Sequence, residues 1–255
     1  MHSPLLYMRR SFFVSGRKTR SGPIVTCIIA LVVLLAGCGA PVTMSAPTGS
    51  SVAATATPRP SLVFAAIGAS ETFGTGADNP ARENWPTDLQ PRLPSGAQVI
   101  NLGIPGITAQ EALQGELPEA LDARPDIASV WLGTNDVIQN VPLADYKQYL
   151  DTILTQLEAI PHIHIVVANL ADLTLLPRFA NDDQNDLRQI DSQWNAAIQQ
   201  EITAHHALLV DIYSHTSELT SHPEYLSADG LHPSTEGYLQ IANLFYQVLH
   251  DNGVI

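Results

Sequence analysis

The chain has 255 residues, 45% hydrophobic and 15% charged, a balance that excludes a disordered polymer and suits a substantial core. Its length allows one large domain with extras, or two small domains. All 25 acidic side chains lie beyond position 38, against seven basic ones, and the resulting charge of about −18 excludes nucleic acid and anionic lipid headgroups as partners of that part.

At the N-terminus, Arg9, Arg10, Arg17, Lys18 and Arg20 precede the uncharged run "IVTCIIALVVLLA" (24–36), which is short for a membrane span and reads as an export signal. The run ends in "LAGC" (35–38), which resembles the lipobox of bacterial lipoproteins. That resemblance implies a signal over residues 1–38 and lipidation of Cys38. It also implies export, with anchorage to the outer face of the cytoplasmic membrane or the cell envelope. Arg9-Arg10 is a weaker hint of twin-arginine export. Cys27 and Cys38 are the only cysteines, so the remainder of the chain forms no internal disulfide. Residues 39–60, rich in Ala, Thr, Ser and Pro, read as a tether. A membrane partner is expected only through the N-terminal lipid.

From Ser61 to the C-terminus, short apolar runs alternate with amphipathic segments. The runs "SLVFAAIG" (61–68), "AQVINLG" (97–103), "IASVWLG" (127–133), "HIHIVVANL" (162–170) and "ALLVDIY" (207–213) read as strands. Several are Val/Ile-rich and nearly continuous in apolarity, as in parallel strands covered on both faces. Helical spacing appears in 142–160, with Tyr146, Leu150, Ile153, Leu154 and Leu157, and in 184–204, with Leu187, Ile190, Trp194, Ile198 and Ile202. It appears again through Tyr238, Ile241, Phe245 and Leu249. Strands alternating with helices predict one α/β domain over 61–255, with a parallel sheet and right-handed crossovers.

Ligands of open α/β sheets sit beyond the carboxyl ends of the strands. Polar residues follow the expected strands there: Ser70 in "GASETFG" (68–74), Gly106 in "NLGIPGITA" (101–109) and Asn135 in "GTND" (133–136). Farther on, "SADGLHPS" (227–234) holds Asp229 and His232 three apart on a stretch that Gly230 and Pro233 keep from being regular. A serine needs a base to become a nucleophile, and a histidine needs a carboxylate to fix its tautomer. Asp229 and His232 suit base and orienter on one loop, with Ser70 as their target. Backbone N–H groups of Ser70 and Gly106, with the Asn135 amide, suit a developing oxyanion. Each residue alone has a plain alternative: a turn serine, a helix-capping asparagine, a surface Asp–His pair or two ligands of a metal site. Their order and their placement near strand ends favour the catalytic reading.

These blocks, with "NWP" (84–86) and "NLADLTLLP" (169–177), resemble those of the SGNH (GDSL-type) hydrolases over essentially all of 61–255. The resemblance implies a three-layer α/β/α flavodoxin-like fold with a five-stranded parallel sheet in the order 2-1-3-4-5. It also implies a serine esterase acting through an acyl-enzyme. In it Ser70, Asp229 and His232 are the triad, and Ser70, Gly106 and Asn135 are the oxyanion donors. No metal or organic cofactor is implied, and the partner is a small-molecule or carbohydrate ester, such as a short-chain ester or an O-acetyl group. Two departures stand out: Ala69 and Glu71 replace the Asp and Leu of the family's "GDSL", and Ile107 follows the oxyanion glycine. They bear on the support of the Ser70 loop and on pocket shape. A surface glycan- or lipid-binding module and an O-acyltransferase with the same triad are the alternatives.

Other signatures are absent. Thr72 breaks a G-x-S-x-G elbow, residues 68–77 lack a phosphate-loop ending, and no Cys/His cluster suggests zinc. His215, His222 and the pair Asp172/Arg178 are further candidates for the cleft. His162 and His164 are expected on one strand face, and His205 and His206 at a helix end.

Overall fold

The computed structural model describes residues 59–255. The expected signal, Cys38 and nearly all of the expected tether lie outside the described residues. Arg59, next to the end of that tether, reaches the side chain of Asp126 at 3.1 Å.

Five parallel strands form one sheet: β1 (Val63–Gly68), β2 (Gln98–Asn101), β3 (Ile127–Trp131), β4 (His164–Ala168) and β5 (Leu208–Val210). Their spatial order is β2-β1-β3-β4-β5, the order that the family resemblance implies. β1 and β3 are buried along their whole length, which explains their unbroken apolarity, whereas the edge strand β2 is only partly covered.

Side-chain alternation along the strands divides the core in two. Ala65, Ile67, Ala128, Val130, Ile165 and Val167 face one layer. That layer comprises α3 (Ala109–Gln114), α4 (Glu116–Ala123), α6 (Leu143–Glu158) and α7 (Gln184–Ala204). Phe64, Ala66, Trp131, Val166, Ala168 and Val210 face the other, which comprises α2 (Trp85–Leu89), α8 (Ile212–Ser221) and α9 (Thr235–Asp251). In the second layer the Trp85 and Phe245 rings stack at 3.8 Å, clamping α2 to α9. Asn84 caps α2 through Thr87 N–H, which gives "NWP" its structural role. Trp194 packs in the first core against Tyr146, and Trp131 in the second.

The elements differ from expectation in three places. The apolar run 207–213 is a strand only to Val210, because the Asp211 side chain caps α8 by accepting the Ser214 N–H and so turns Ile212 and Tyr213 into a helix. The fourth run starts pairing at His164, since His162 takes a left-handed φ of 64° in the preceding turn; only His164 of the two lies in the strand. Pro142 sits one residue before α6, where its missing N–H costs no helical bond.

Candidate active site

Ser70 opens α1 (Ser70–Phe73), a single turn leaving the end of β1, and its side chain is held in a tight corner. Gly68 makes the corner feasible: a Cβ there would lie 2.1 Å from Thr72 Oγ1 and 2.8 Å from the Trp131 carbonyl oxygen. Ser70 is only 7% exposed. Its Oγ lies 2.9 Å from His232 Nε2, and His232 Nδ1 lies 2.6 Å from Asp229 Oδ2. The structure thus brings together the three residues that the sequence leaves 159 or more positions apart on one side, as the 162-residue separation of Ser70 and His232 shows.

The Asp229–His232 loop closes on itself. An antiparallel bridge joins Leu226 to Pro233, and the Ser227 N–H donates to the His232 carbonyl at 2.9 Å. Asp229 Oδ1 accepts from Ser227 Oγ, Leu231 N and His232 N at 2.8–2.9 Å, so the carboxylate organises the backbone that carries its own partner. Burial alone would raise the Asp229 pKa. The bonds from the His232 ring, the two backbone N–H groups and the Ser227 hydroxyl outweigh it and hold the carboxyl well below its ordinary range. With Asp229 accepting at Nδ1–H, Nε2 is the imidazole atom left to accept the Ser70 hydroxyl.

Neighbouring segments clamp this loop. Ser234 caps α9 directly behind it, and the Gly230 carbonyl accepts the Arg178 N–H at 3.0 Å. The turn after α1 is tied to α9, where the Tyr238 hydroxyl donates to the Thr75 carbonyl at 2.7 Å.

The sheet order sets the ends of β2, β1 and β3 side by side, so the segments bearing Gly106, Ser70 and Asn135 are neighbours. Gly106 has a φ of 86°, and a Cβ there would meet nothing within 4 Å, so its backbone faces open space. Asn135, on α5 (Thr134–Ile138), keeps its Nδ2 buried with no hydrogen-bond partner. A buried amide N–H without an acceptor is costly, and it suits a site awaiting an anionic or carbonyl oxygen.

Several residues that sequence reasoning missed stitch these segments together. Asn101 Nδ2 donates to the Thr72 carbonyl at 2.7 Å, and Gln139 Nε2 donates to the Gly106 carbonyl at 2.9 Å. Asp136 accepts the Ala109 N–H with both oxygens at 3.1 Å, tying the start of α3 to α5. Glu116, at the start of α4, accepts the Gly68 N–H at 3.0 Å behind the serine turn. Burial is the main influence on both acids, pushing Asp136 up to about 6 and Glu116 to about 8 despite the backbone N–H groups that favour their charged forms. The one available signal was position: Asp136 follows Asn135 directly.

The remaining histidines lie elsewhere. His205 ends α7 and bonds Asp151 and Glu158 at 3.1 Å each. Burial opposes its charge, but those two carboxylates prevail and raise its pKa. His215 pairs with Glu218 at 3.5 Å and His222 with Glu224 at 3.1 Å, both on the surface. Asp172 caps the 3-10 turn Leu173–Leu175. Glu71, the residue after Ser70, lines a small cavity of about 40 Å³ whose walls are mostly apolar and include Trp131, Leu173, Leu176 and Leu231.

Comparison with known proteins bears on the family and the fold. The profile of the GDSL-like Lipase/Acylhydrolase family matches residues 66–239, an interval that contains all five residues of the cluster. An acetylxylan esterase of Geobacillus stearothermophilus is 26% identical over 157 residues, covering 59% of this chain and 71% of that protein. A solved catalytic mutant of an acetylxylan esterase from Geobacillus stearothermophilus superposes with a TM-score of 0.63 at 20% identity, covering 74% of this chain and 94% of that one. A lipase/acylhydrolase of Enterococcus faecalis gives a TM-score of 0.58 at 23% identity, covering 75% and 96%.

Proposed function

The chain belongs to the GDSL-like lipase/acylhydrolase family and is a hydrolase acting on ester bonds, and from that premise we propose that Ser70 is its nucleophile, with His232 as base and Asp229 as the orienting carboxylate. The observation that carries this reading is the continuous chain of contacts from Asp229 Oδ2 through the His232 ring to Ser70 Oγ, at 2.6 and 2.9 Å.

In the proposed reaction, Ser70 Oγ attacks the acyl carbonyl while its proton passes to His232 Nε2. Asp229 stabilises the imidazolium through Nδ1–H. The oxyanion is received by the N–H groups of Ser70 and Gly106 and by Asn135 Nδ2, whose buried and unpartnered state supports the assignment. His232 then gives its proton to the departing alcohol, leaving Ser70 acylated. Water, deprotonated by the same imidazole, attacks the acyl-enzyme and frees the acid.

The substrate we propose is a small or carbohydrate-borne ester. The curated relative named for acetylxylan supports an O-acetyl group on carbohydrate. The small, mostly apolar cavity lined by Glu71 supports a short acyl group as well. The N-terminal reading completes the proposal: an exported enzyme, tethered to the cell envelope through lipidated Cys38.

A p-nitrophenyl ester series from acetate to palmitate tests the core of this reading. Ser70→Ala is expected to lower turnover by about 10⁴–10⁶-fold on every ester that the unaltered chain cleaves. Folded Ser70→Ala protein with unchanged turnover would contradict it.

A further inference from the structure

Glu71 is not used by the reaction described above, yet it stands beside the attacking oxygen. Its Oε2 lies 3.2 Å from Ser70 Oγ, against 2.9 Å from Ser70 Oγ to His232 Nε2. One hydroxyl proton serves one acceptor well, and productive attack requires it to go to the imidazole. Among the described residues, the Ser70 hydroxyl is the sole hydrogen-bond donor to the Glu71 carboxylate. Whenever Ser70 turns toward His232, and throughout the life of an acyl-enzyme, Glu71 therefore has no protein donor.

Among the described residues, the surrounding protein offers it no second donor. Glu71 is 8% exposed, and it is the one charged residue lining the cavity formed with Trp131, Thr134, Leu173, Leu176 and Leu231. A largely buried carboxylate with no donor is costly, and it also opposes negative charge building nearby on the tetrahedral intermediate. A donor supplied by the substrate removes both penalties. Since Oε2 is within hydrogen-bond reach of the attacking oxygen, a donor carried one or two atoms from the scissile carbonyl comes within reach of Oε2 as well.

Building on the esterase reading above, we propose that Glu71 is a specificity-determining residue that selects esters bearing a hydroxyl or ammonium group next to the scissile bond over plain alkyl esters. A partly acylated polyol or sugar offers such a hydroxyl on the alcohol side. Hydroxyacyl and aminoacyl esters offer the donor on the acyl side. The selected group bonds Glu71 as the Ser70 proton leaves for His232, so the preference acts in kcat/KM.

The test uses three matched pairs: glycerol monoacetate with propyl acetate, ethyl 2-hydroxybutyrate with ethyl butyrate, and ethyl 2-aminobutyrate with ethyl butyrate. In the unaltered enzyme at least one donor-bearing ester is expected to exceed its partner in kcat/KM by about tenfold or more, as for a hydrogen bond to a charged group. Glu71→Leu brings that ratio to within about twofold of one. Glu71→Gln, which preserves size and an acceptor oxygen, retains part of a hydroxyl preference and loses an ammonium preference. Ratios near one for all three pairs in the unaltered enzyme would overturn the inference. So would a preference that survives unchanged in both variants. Ser70→Ala, run alongside, separates the two levels: its inactivity with flat ratios removes only the role of Glu71, whereas its activity removes the nucleophile assignment itself.

Discussion

The two halves of the site are built in opposite ways. The serine half grows out of the sheet: Ser70 is 7% exposed, its turn leaves β1 directly, and buried acids behind it bond backbone N–H groups. The histidine half is a loop at the rim, where the Asp229 side chain is 46% exposed and His232 13%. Their carboxyls diverge accordingly. Burial pushes Glu116 up to about 8 and Asp136 to about 6, while hydrogen bonds hold Asp229 well below its ordinary range. A sheet supplies fixed donors through backbone geometry, so its supporting acids keep their N–H partners even where burial disfavours their charge. A loop has no such frame, and the charge of Asp229 has to fix both the loop and the imidazole.

That contrast is sharpened most by Asp229→Asn. An amide at position 229 offers an N–H where the ring needs an acceptor, which favours the wrong imidazole tautomer. Turnover is expected to fall about 10⁴-fold with the fold retained, as read by ester kinetics beside circular dichroism. A loss under tenfold would mean that the loop holds His232 without its carboxylate.

On the serine half, Asn135→Ala removes one donor from a fixed frame. The expected loss is about 10²–10³-fold in kcat with little change in KM, since the bond forms chiefly in the transition state. An effect confined to KM would assign Asn135 to ground-state binding instead.

The smallest effect falls on stability. Folded Glu116 keeps its proton up to about pH 8, whereas the unfolded chain releases it near 4.5, so the folded state binds the extra proton between those values. The contribution is therefore full below about 4.5 and is lost as pH rises toward about 8. Glu116→Gln does not titrate, so its Tm relative to the unaltered chain is expected to climb steadily from pH 5 to pH 8. A difference that stays constant over that range would show that the Glu116 carboxyl is not held neutral.

What the residues alone reveal follows the same division. Strand runs, the sheet class and the gathering of the candidate site residues are legible because each rests on a local pattern: continuous apolarity, or chemistry-bearing residues just past a strand. The strand order came from the family resemblance rather than from periodicity. α8 was not legible, because the apolar run 207–213 continues through the capping Asp211 without a break in pattern. Glu116, Asp136 and Asn101 were not legible either. A buried acid that accepts a distant backbone N–H looks, in sequence, the same as a solvated one on an amphipathic helix. Glu71 was visible as a departure from the family motif, but its nearness to both Ser70 Oγ and an apolar cavity needed coordinates.

The central claim is that one hydroxyl is activated by one imidazole, and a fluorophosphonate probe followed by peptide mass spectrometry tests it most directly. The account predicts a stoichiometric adduct on Ser70, with the labelling rate reduced at least a hundredfold in folded His232→Ala protein. An adduct on another residue, or equal labelling of Ser70 with and without His232, would contradict it.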